Sequence, residues 1–263
     1  MNDCHTYSGY SKVSDIKKLD FILNAVNKEM YRVGKCLSIL EVGCGTGHIA
    51  RPLASLGHNV LATDVDEESI RYVQRKPIPI SLDVAVLDAR YIPPTIGPFQ
   101  VVVCSEVLEH LKSPNEALCA IKNILAYDGL LIVTVPNGYG PWEIRNLLIR
   151  KIKKMLNVLH LDIVLRRIKR SVFHDSRTDW STLNPFTPHV QFFTFNHFRS
   201  LLKECGFEVE KIRHSNFILP ALPFMDRVGF LDKIDCGIAD RLPTSVVSGW
   251  YVTARITNNN SHC

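Results

Sequence analysis

None of the chain's eight cysteines forms a Cys-x-x-Cys pair, so the thiolate spacing of a structural zinc site or a redox couple is missing. Cys44, Cys104, Cys119 and Cys205 fall inside predicted elements, and buried free thiols in a reducing compartment are the expected reading. No run reaches the roughly 18 apolar residues of a membrane-spanning helix. The opening "MNDCHTYSGYSKVSDIKK" has no apolar core of a secretory leader, so a cytoplasmic protein is expected. Acidic residues are scarce in one window. From Arg145 to Arg170 nine Lys or Arg stand with the single acid Asp162, a local charge of +8 in a chain whose net charge is +5. The basicity therefore belongs to one segment and not to the fold.

The 263 residues, 46% hydrophobic and 22% charged, suffice for a substantial core. Apolar spacing predicts a helix over Ser14–Val33 and a strand over 36–42, then a helix over His48–Leu56 and a strand over 59–65. A helix over Glu67–Arg75, a strand over 83–89 and a Pro-rich loop through Pro98 come next. A strand over 99–105, a helix over Pro114–Ala126 and a strand over 129–136 complete the run. The rhythm breaks after Pro136 and resumes with a helix over Asn196–Cys205, a strand over 207–212, a Pro-rich connection and a strand over 248–256. Such alternation predicts an α/β fold of parallel βαβ units with helices on both faces.

"ILEVGCGTGHIA" (39–50) carries the most information. Gly43, Gly45 and Gly47 let the backbone turn tightly and approach a ligand, and the helix behind them offers free N–H groups. The pattern differs from the Gly-x-Gly-x-x-Gly dinucleotide fingerprint, which disfavours an NAD-dependent oxidoreductase. Asp64 ends the second strand about 20 residues on, where a carboxylate can accept from ribose hydroxyls. Asp88 ends the third and can take an adenine amino group.

Together "LEVGCGTG", "ATDVDEESI", "LDA" and "FQVVVCSEVLEHL" resemble the ordered motifs of class I S-adenosylmethionine-dependent methyltransferases. The resemblance covers roughly 38–136, with weaker echoes at "HVQFFTFNHFRSLLKECGFEV" and the final strand. It implies a Rossmann-like, seven-stranded, mostly parallel sheet with the last strand antiparallel, and the break after Pro136 adds an α-helical insertion after the fifth strand. By position it implies that the Gly43–Cys44–Gly45–Gly47 backbone holds the methionine moiety, with Glu41 beneath it. Asp64 would bind the ribose, Val65 would pack on the adenine, Asp88 and the Ala89 amide would read the adenine edge, and Ser105 would lie near the sulfonium. The corresponding division is 1–137 for the N-terminal helix and cofactor-binding part, 138–190 for a basic helical insertion or lid, 191–257 for the rest of the core and 258–263 for a tail.

Glu106, Glu109 and His110 follow the fourth strand at i, i+3 and i+4, the spacing of one helical face. Three readings stand open. His110 acts as general base for a substrate hydroxyl; the three side chains with a distant histidine bind a divalent ion; or the glutamates merely favour a helix N-terminus. The Glu-x-x-Glu-His motif, with His189 in "PHVQFFTF" as fourth ligand, is similar to the metal site of small-RNA 2′-O-methyltransferases, and ubiquinone-biosynthesis O-methyltransferases share a similar strand-four motif. Leu111 stands where the small-RNA enzymes carry a second histidine. Mg²⁺, Mn²⁺ and Zn²⁺ all suit such a set.

Between 142 and 173, apolar positions 144, 147, 148, 152, 155, 156 and 159 recur at helical spacing among the basic residues. That predicts a basic amphipathic helix, serving as a peripheral membrane contact or as a substrate lid with a solvated face. RNA phosphates are disfavoured, because the stretch is more aliphatic than aromatic. The expected function is S-adenosylmethionine-dependent O-methylation of a small or lipid-associated hydroxyl acceptor. The alternatives are an RNA 2′-O-methyltransferase and a cofactor-binding regulatory protein without catalysis.

Overall fold

The computed structural model describes residues 13–75, 77, 79–141, 144, 189–217 and 229–257. Helix α1 (Val13–Val33) leads into strand β1 (Ser38–Val42), and α2 (Ala50–Ser55), β2 (Asn59–Asp64), α3 (Glu67–Arg75) and β3 (Leu82–Val86) follow. Next come β4 (Phe99–Ser105), α4 (Pro114–Ile124) and β5 (Leu125–Pro136). Beyond the insertion lie α5 (Phe195–Glu204), β6 (Phe207–His214), α6 (Gly229–Ala239) and β7 (Gly249–Ile256).

The seven strands form one sheet in the order β3-β2-β1-β4-β5-β7-β6, with β7 antiparallel to both neighbours and the remaining pairs parallel. The Rossmann-like sheet expected from the resemblance is thus observed. Its central strands are buried on both faces, which is why Val101–Val103 and Leu130–Val133 read as unbroken apolar runs. Alternate side chains feed two cores. Leu40, Val102, Leu131 and Val133 pack with Leu118 and Ile121 of α4 and Phe198 and Leu202 of α5. Ile39, Val101, Val103 and Ile132 pack with Leu19, Ile22 and Val26 of α1 and Val73 of α3. Because β1 lies between β2 and β4, the chain reverses direction across the sheet there and leaves a crevice at the carboxyl ends.

The opposite edge is fastened by charge. Glu29 of α1 is buried and accepts from Arg255 of β7 at 2.7 Å and from Arg32. Burial pushes its carboxyl up, but hydrogen bonds and charge from the two guanidiniums outweigh this and hold it below its ordinary value.

Several expectations are refined. Helix α6 falls where only a Pro-rich connection was expected. Cys44, Cys104, Cys205 and Cys236 are buried free thiols and Cys36 is an exposed one, whereas Cys119 is disulfide-bonded, contrary to its reading as a free thiol. The basic helix predicted over 142–173 lies outside the described residues apart from Ile144, as does the tail 258–263. Among the described residues no helix is long and apolar enough to cross a membrane.

Candidate functional site

The turn after β1 is built on backbone that only glycine adopts readily. Gly43, Gly45 and Gly47 have φ of +71°, +51° and +77°. A Cβ on Gly43 would stand 2.3 Å from Val107 Cγ2, so the glycine turn presses directly against the segment that follows β4. Cys44 N donates to Thr63 O at 2.8 Å, and Gly45 N donates to Asp64 Oδ2 at 2.8 Å. Asp64 is therefore brought to the turn, and its Oδ1 accepts from Asp66 N at 2.9 Å. A carboxylate has about four acceptor positions, so capacity remains for a diol. Glu41, one residue before β1 ends, is 1% exposed, and its Oε2 has no hydrogen-bond partner among the described residues. Burial, with Asp64 nearby, pushes its carboxyl well above the ordinary range despite an opposing Ala50 N–H. An orphaned acceptor, a glycine cradle that a side chain would fill and the 68% exposed Val65 beside Asp64 fit a nucleoside bearing a cationic amino-acid tail.

Asp88 stands just beyond β3, and Arg90 grips it with a fork: Nε to Oδ1 at 3.0 Å and Nη2 to Oδ2 at 2.6 Å. This hydrogen bonding holds the Asp88 carboxyl below its usual value. Ala89 between them is buried. Arg90 was not singled out from sequence, although an arginine two residues after a turn carboxylate is the signal that would have found it.

Beyond β4 the chain does not continue as one helix. Glu106 has φ +56°, and a single 3-10 turn over Leu108–His110 follows. Glu106, Glu109 and His110 therefore do not share the helical face their spacing suggests. Glu106 Oε1 accepts from Thr134 Oγ1 at 2.8 Å, and Thr134 Oγ1 lies 2.9 Å from Ser105 Oγ. Thr134, fully buried on β5, was missed by sequence reading, where it stood as one polar residue in the run "GLLIVTVP".

Glu109 turns inward, wholly buried, with neither carboxyl oxygen hydrogen-bonded among the described residues. Burial, reinforced by the Glu106 charge, pushes its carboxyl well above the ordinary range. Val190 N and Gln191 N both donate to Glu109 O, at 2.8 and 2.9 Å, and this docking carries His189 to His110. The two rings meet edge-on with centroids 5.1 Å apart, and His110 Nε2 lies 3.9 Å from Glu109 Oε1. One ligand atom each from Glu109, His110 and His189 falls within 4.8 Å of the others. Glu106 is not part of this group. A buried carboxylate with no hydrogen-bond partner among the described residues, beside two half-buried imidazoles, fits a divalent cation, whose charge would offset the cost of ionising Glu109 in a buried site.

A family model described as a methyltransferase domain matches residues 16–212. Among curated proteins, a Caulobacter ubiquinone biosynthesis O-methyltransferase is 35% identical over 104 residues, covering 38% of this chain and 41% of that protein. Its Rickettsia typhi namesake is 29% identical over 130 residues, covering 46% and 49%. The chain spans about half the length of the curated relatives it matches. Among solved structures, the magnesium protoporphyrin IX methyltransferase from Synechocystis with bound S-adenosylhomocysteine superposes with a TM-score of 0.53 at 15% identity, covering 93% of this chain and 84% of that one. The cyclase SpnF superposes with the same score and identity, covering 90% and 82%. At such identities these two show the fold alone, and a cyclase among them illustrates that one fold can carry other chemistry.

Proposed function

Because this chain belongs to the class I S-adenosylmethionine-dependent methyltransferase family, we propose that it methylates a hydroxyl oxygen of a small or lipid-associated acceptor. The observation that carries this reading is the buried Glu109, whose carboxyl oxygens accept no hydrogen bond among the described residues, gathered with His110 and His189. The relatives' names, which specify O-methyl transfer in ubiquinone biosynthesis, support a hydroxyl on a lipid-associated ring.

When bound, S-adenosylmethionine supplies an electrophilic methyl group with a good leaving group, so the protein's work is positioning and deprotonation. The Gly43–Gly47 backbone and Glu41 would receive the methionine end, and Asp64 would accept from the ribose hydroxyls. Val65 would cover the adenine, while Asp88 and the Ala89 amide would read its edge. Ser105, fixed by Thr134, would line the sulfonium end.

Glu109, His110 and His189 would hold a divalent cation, which would supply Lewis acidity toward an acceptor hydroxyl. Two imidazoles with one carboxylate suit Mn²⁺ or Zn²⁺ better than Mg²⁺, which prefers oxygen ligands. Glu106 stays on Thr134 and outside the cluster. The basic segment 142–173 is proposed as a peripheral membrane contact for such an acceptor. A ribose 2′-hydroxyl is the second acceptor class that a Glu/His set of this kind would serve.

The test is methyl transfer to a panel of catechols, polyprenyl-substituted phenols and short RNAs, before and after exhaustive chelation. Activity on a phenolic hydroxyl should fall at least about 100-fold on chelation and return with Mn²⁺ or Zn²⁺. Full activity after chelation would leave His110 as an unaided base and overturn the metal. Cofactor binding without turnover on any acceptor would support a regulatory protein instead.

A further inference from the structure

Helix α6 turns acids inward beside its buried Cys236 and Ala239. Its acids face inward: Asp232 and Asp235 are 2% and 3% exposed, while Phe230, Ile234 and Ile238 are 71%, 44% and 42% exposed. The three apolar residues recur at i, i+4 and i+8, which is one stripe along the helix. Gly237 lies beside that stripe, and a Cβ added to it would meet nothing within 4 Å. An amphipathic helix ordinarily points the other way.

The inward acids have defined partners. Asp232 Oδ2 accepts from Val13 N at 2.7 Å and Ser14 N at 3.3 Å, capping α1 across the chain. Asp235 Oδ2 accepts from Phe217 N at 2.9 Å. Asp240, just past the helix, pairs with the buried Lys17 at 2.8 Å. With its acids so engaged, the outward face of α6 shows Phe230, Ile234 and Ile238 interspersed with exposed Lys233 and followed by exposed Arg241. This is an apolar stripe flanked by Lys233 and Arg241, with the exposed Asp240 offset by its pair with Lys17.

Its location matters. Ser14, whose N–H Asp232 caps, also receives the Tyr251 hydroxyl through its carbonyl at 3.3 Å, and Tyr251 is in register with Thr134. The stripe therefore belongs to the carboxyl end of the sheet, the end that carries Glu109, His110 and His189.

We propose that the Phe230–Ile234–Ile238 face of α6 is a membrane-contact surface that seats the protein on an anionic lipid bilayer. Three side chains are far too few for a stable protein interface, which buries about 800 Å² on each partner. A helix lying in the bilayer interface needs only a short apolar face with basic residues beside it. The contact would bring a lipid-borne hydroxyl to the open end of the site, and that link rests on the O-methyltransferase reading; the lipid contact itself does not.

The test is co-sedimentation of the full chain with vesicles of equimolar phosphatidylcholine and phosphatidylglycerol, without cofactor or acceptor, so that failure of the methyltransferase reading leaves the result intact. The triple variant Phe230→Gln/Ile234→Gln/Ile238→Gln should lose at least about tenfold in partitioning relative to wild type. It should keep its activity on a water-soluble acceptor. Gly237→Leu, which extends the stripe into open space, should raise partitioning. Equal partitioning of wild type and the triple variant, or none by wild type, overturns the proposal. So does a change in oligomeric state on light scattering without a change in vesicle binding, which would make the stripe a contact between copies.

Discussion

Gly43→Ala should weaken S-adenosylmethionine binding at least tenfold and cut turnover further, in a protein that still folds. Two costs add. An alanine at φ +71° carries about 1–2 kcal/mol of backbone strain, and each 1.4 kcal/mol corresponds to about tenfold in affinity. The new Cβ also meets Val107 Cγ2 at 2.3 Å, a separation that neither atom can tolerate. Val107 lies between Glu106, itself at φ +56°, and the turn that carries Glu109 and His110. Any shift that relieves the clash is passed to the acceptor side, so both halves of the site suffer. Val107→Ala opens that space, and the double variant should recover the clash component but not the backbone strain. Calorimetric titration of the four proteins checks this. Unchanged affinity in Gly43→Ala would mean that the ligand does not use the turn.

Glu109→Met should abolish metal-dependent turnover, by about 100-fold or more, and at the same time stabilise the metal-free fold. Replacing a buried ionisable group whose carboxyl oxygens accept no hydrogen bond among the described residues with an apolar one of similar volume is worth about 1–3 kcal/mol. The effect has a pH signature. The folded-state pKa of Glu109 is raised above that of an unfolded chain, so the wild type's penalty is absent below the ordinary carboxylate range, near pH 4. It grows as the pH rises toward the folded-state value. The advantage of Glu109→Met should therefore be small at pH 4 and larger at pH 7. Added Mn²⁺ or Zn²⁺ should raise the melting temperature of wild type and leave the variant unmoved. A variant less stable than wild type at pH 7 without metal would show that Glu109 has a structural partner.

The glycine turn and the strand-end carboxylates were legible because their signals are local. Left-handed turns demand glycine, a carboxylate at a strand end follows a fixed spacing, and buried parallel strands show as apolar runs. Helix α3 falls on its predicted residues, Glu67–Arg75, for the same reason. The acceptor half was less legible because it depends on tertiary contact. His189 is brought to His110 by tertiary contacts, among them the bonds from Val190 and Gln191 to Glu109 O and from Gln191 Nε2 to Lys112 O. Glu106 leaves the helical face because its backbone is left-handed and Thr134 holds its side chain. Helix α6 was hidden by its inverted pattern. Periodicity arguments place apolar residues inward, whereas here Asp232 and Asp235 are inside, bound to α1 and Phe217.

The most direct test of a methyl-donor pocket joined to an acceptor-activating Glu/His site is a crystal structure with S-adenosylhomocysteine and Mn²⁺, using anomalous scattering. The expected result is the ribose on Asp64, the amino-acid tail along Gly43–Gly47, and an anomalous peak among Glu109, His110 and His189. S-adenosylhomocysteine bound away from the glycine turn, or a pocket correctly filled with no anomalous peak at those three residues, would contradict it.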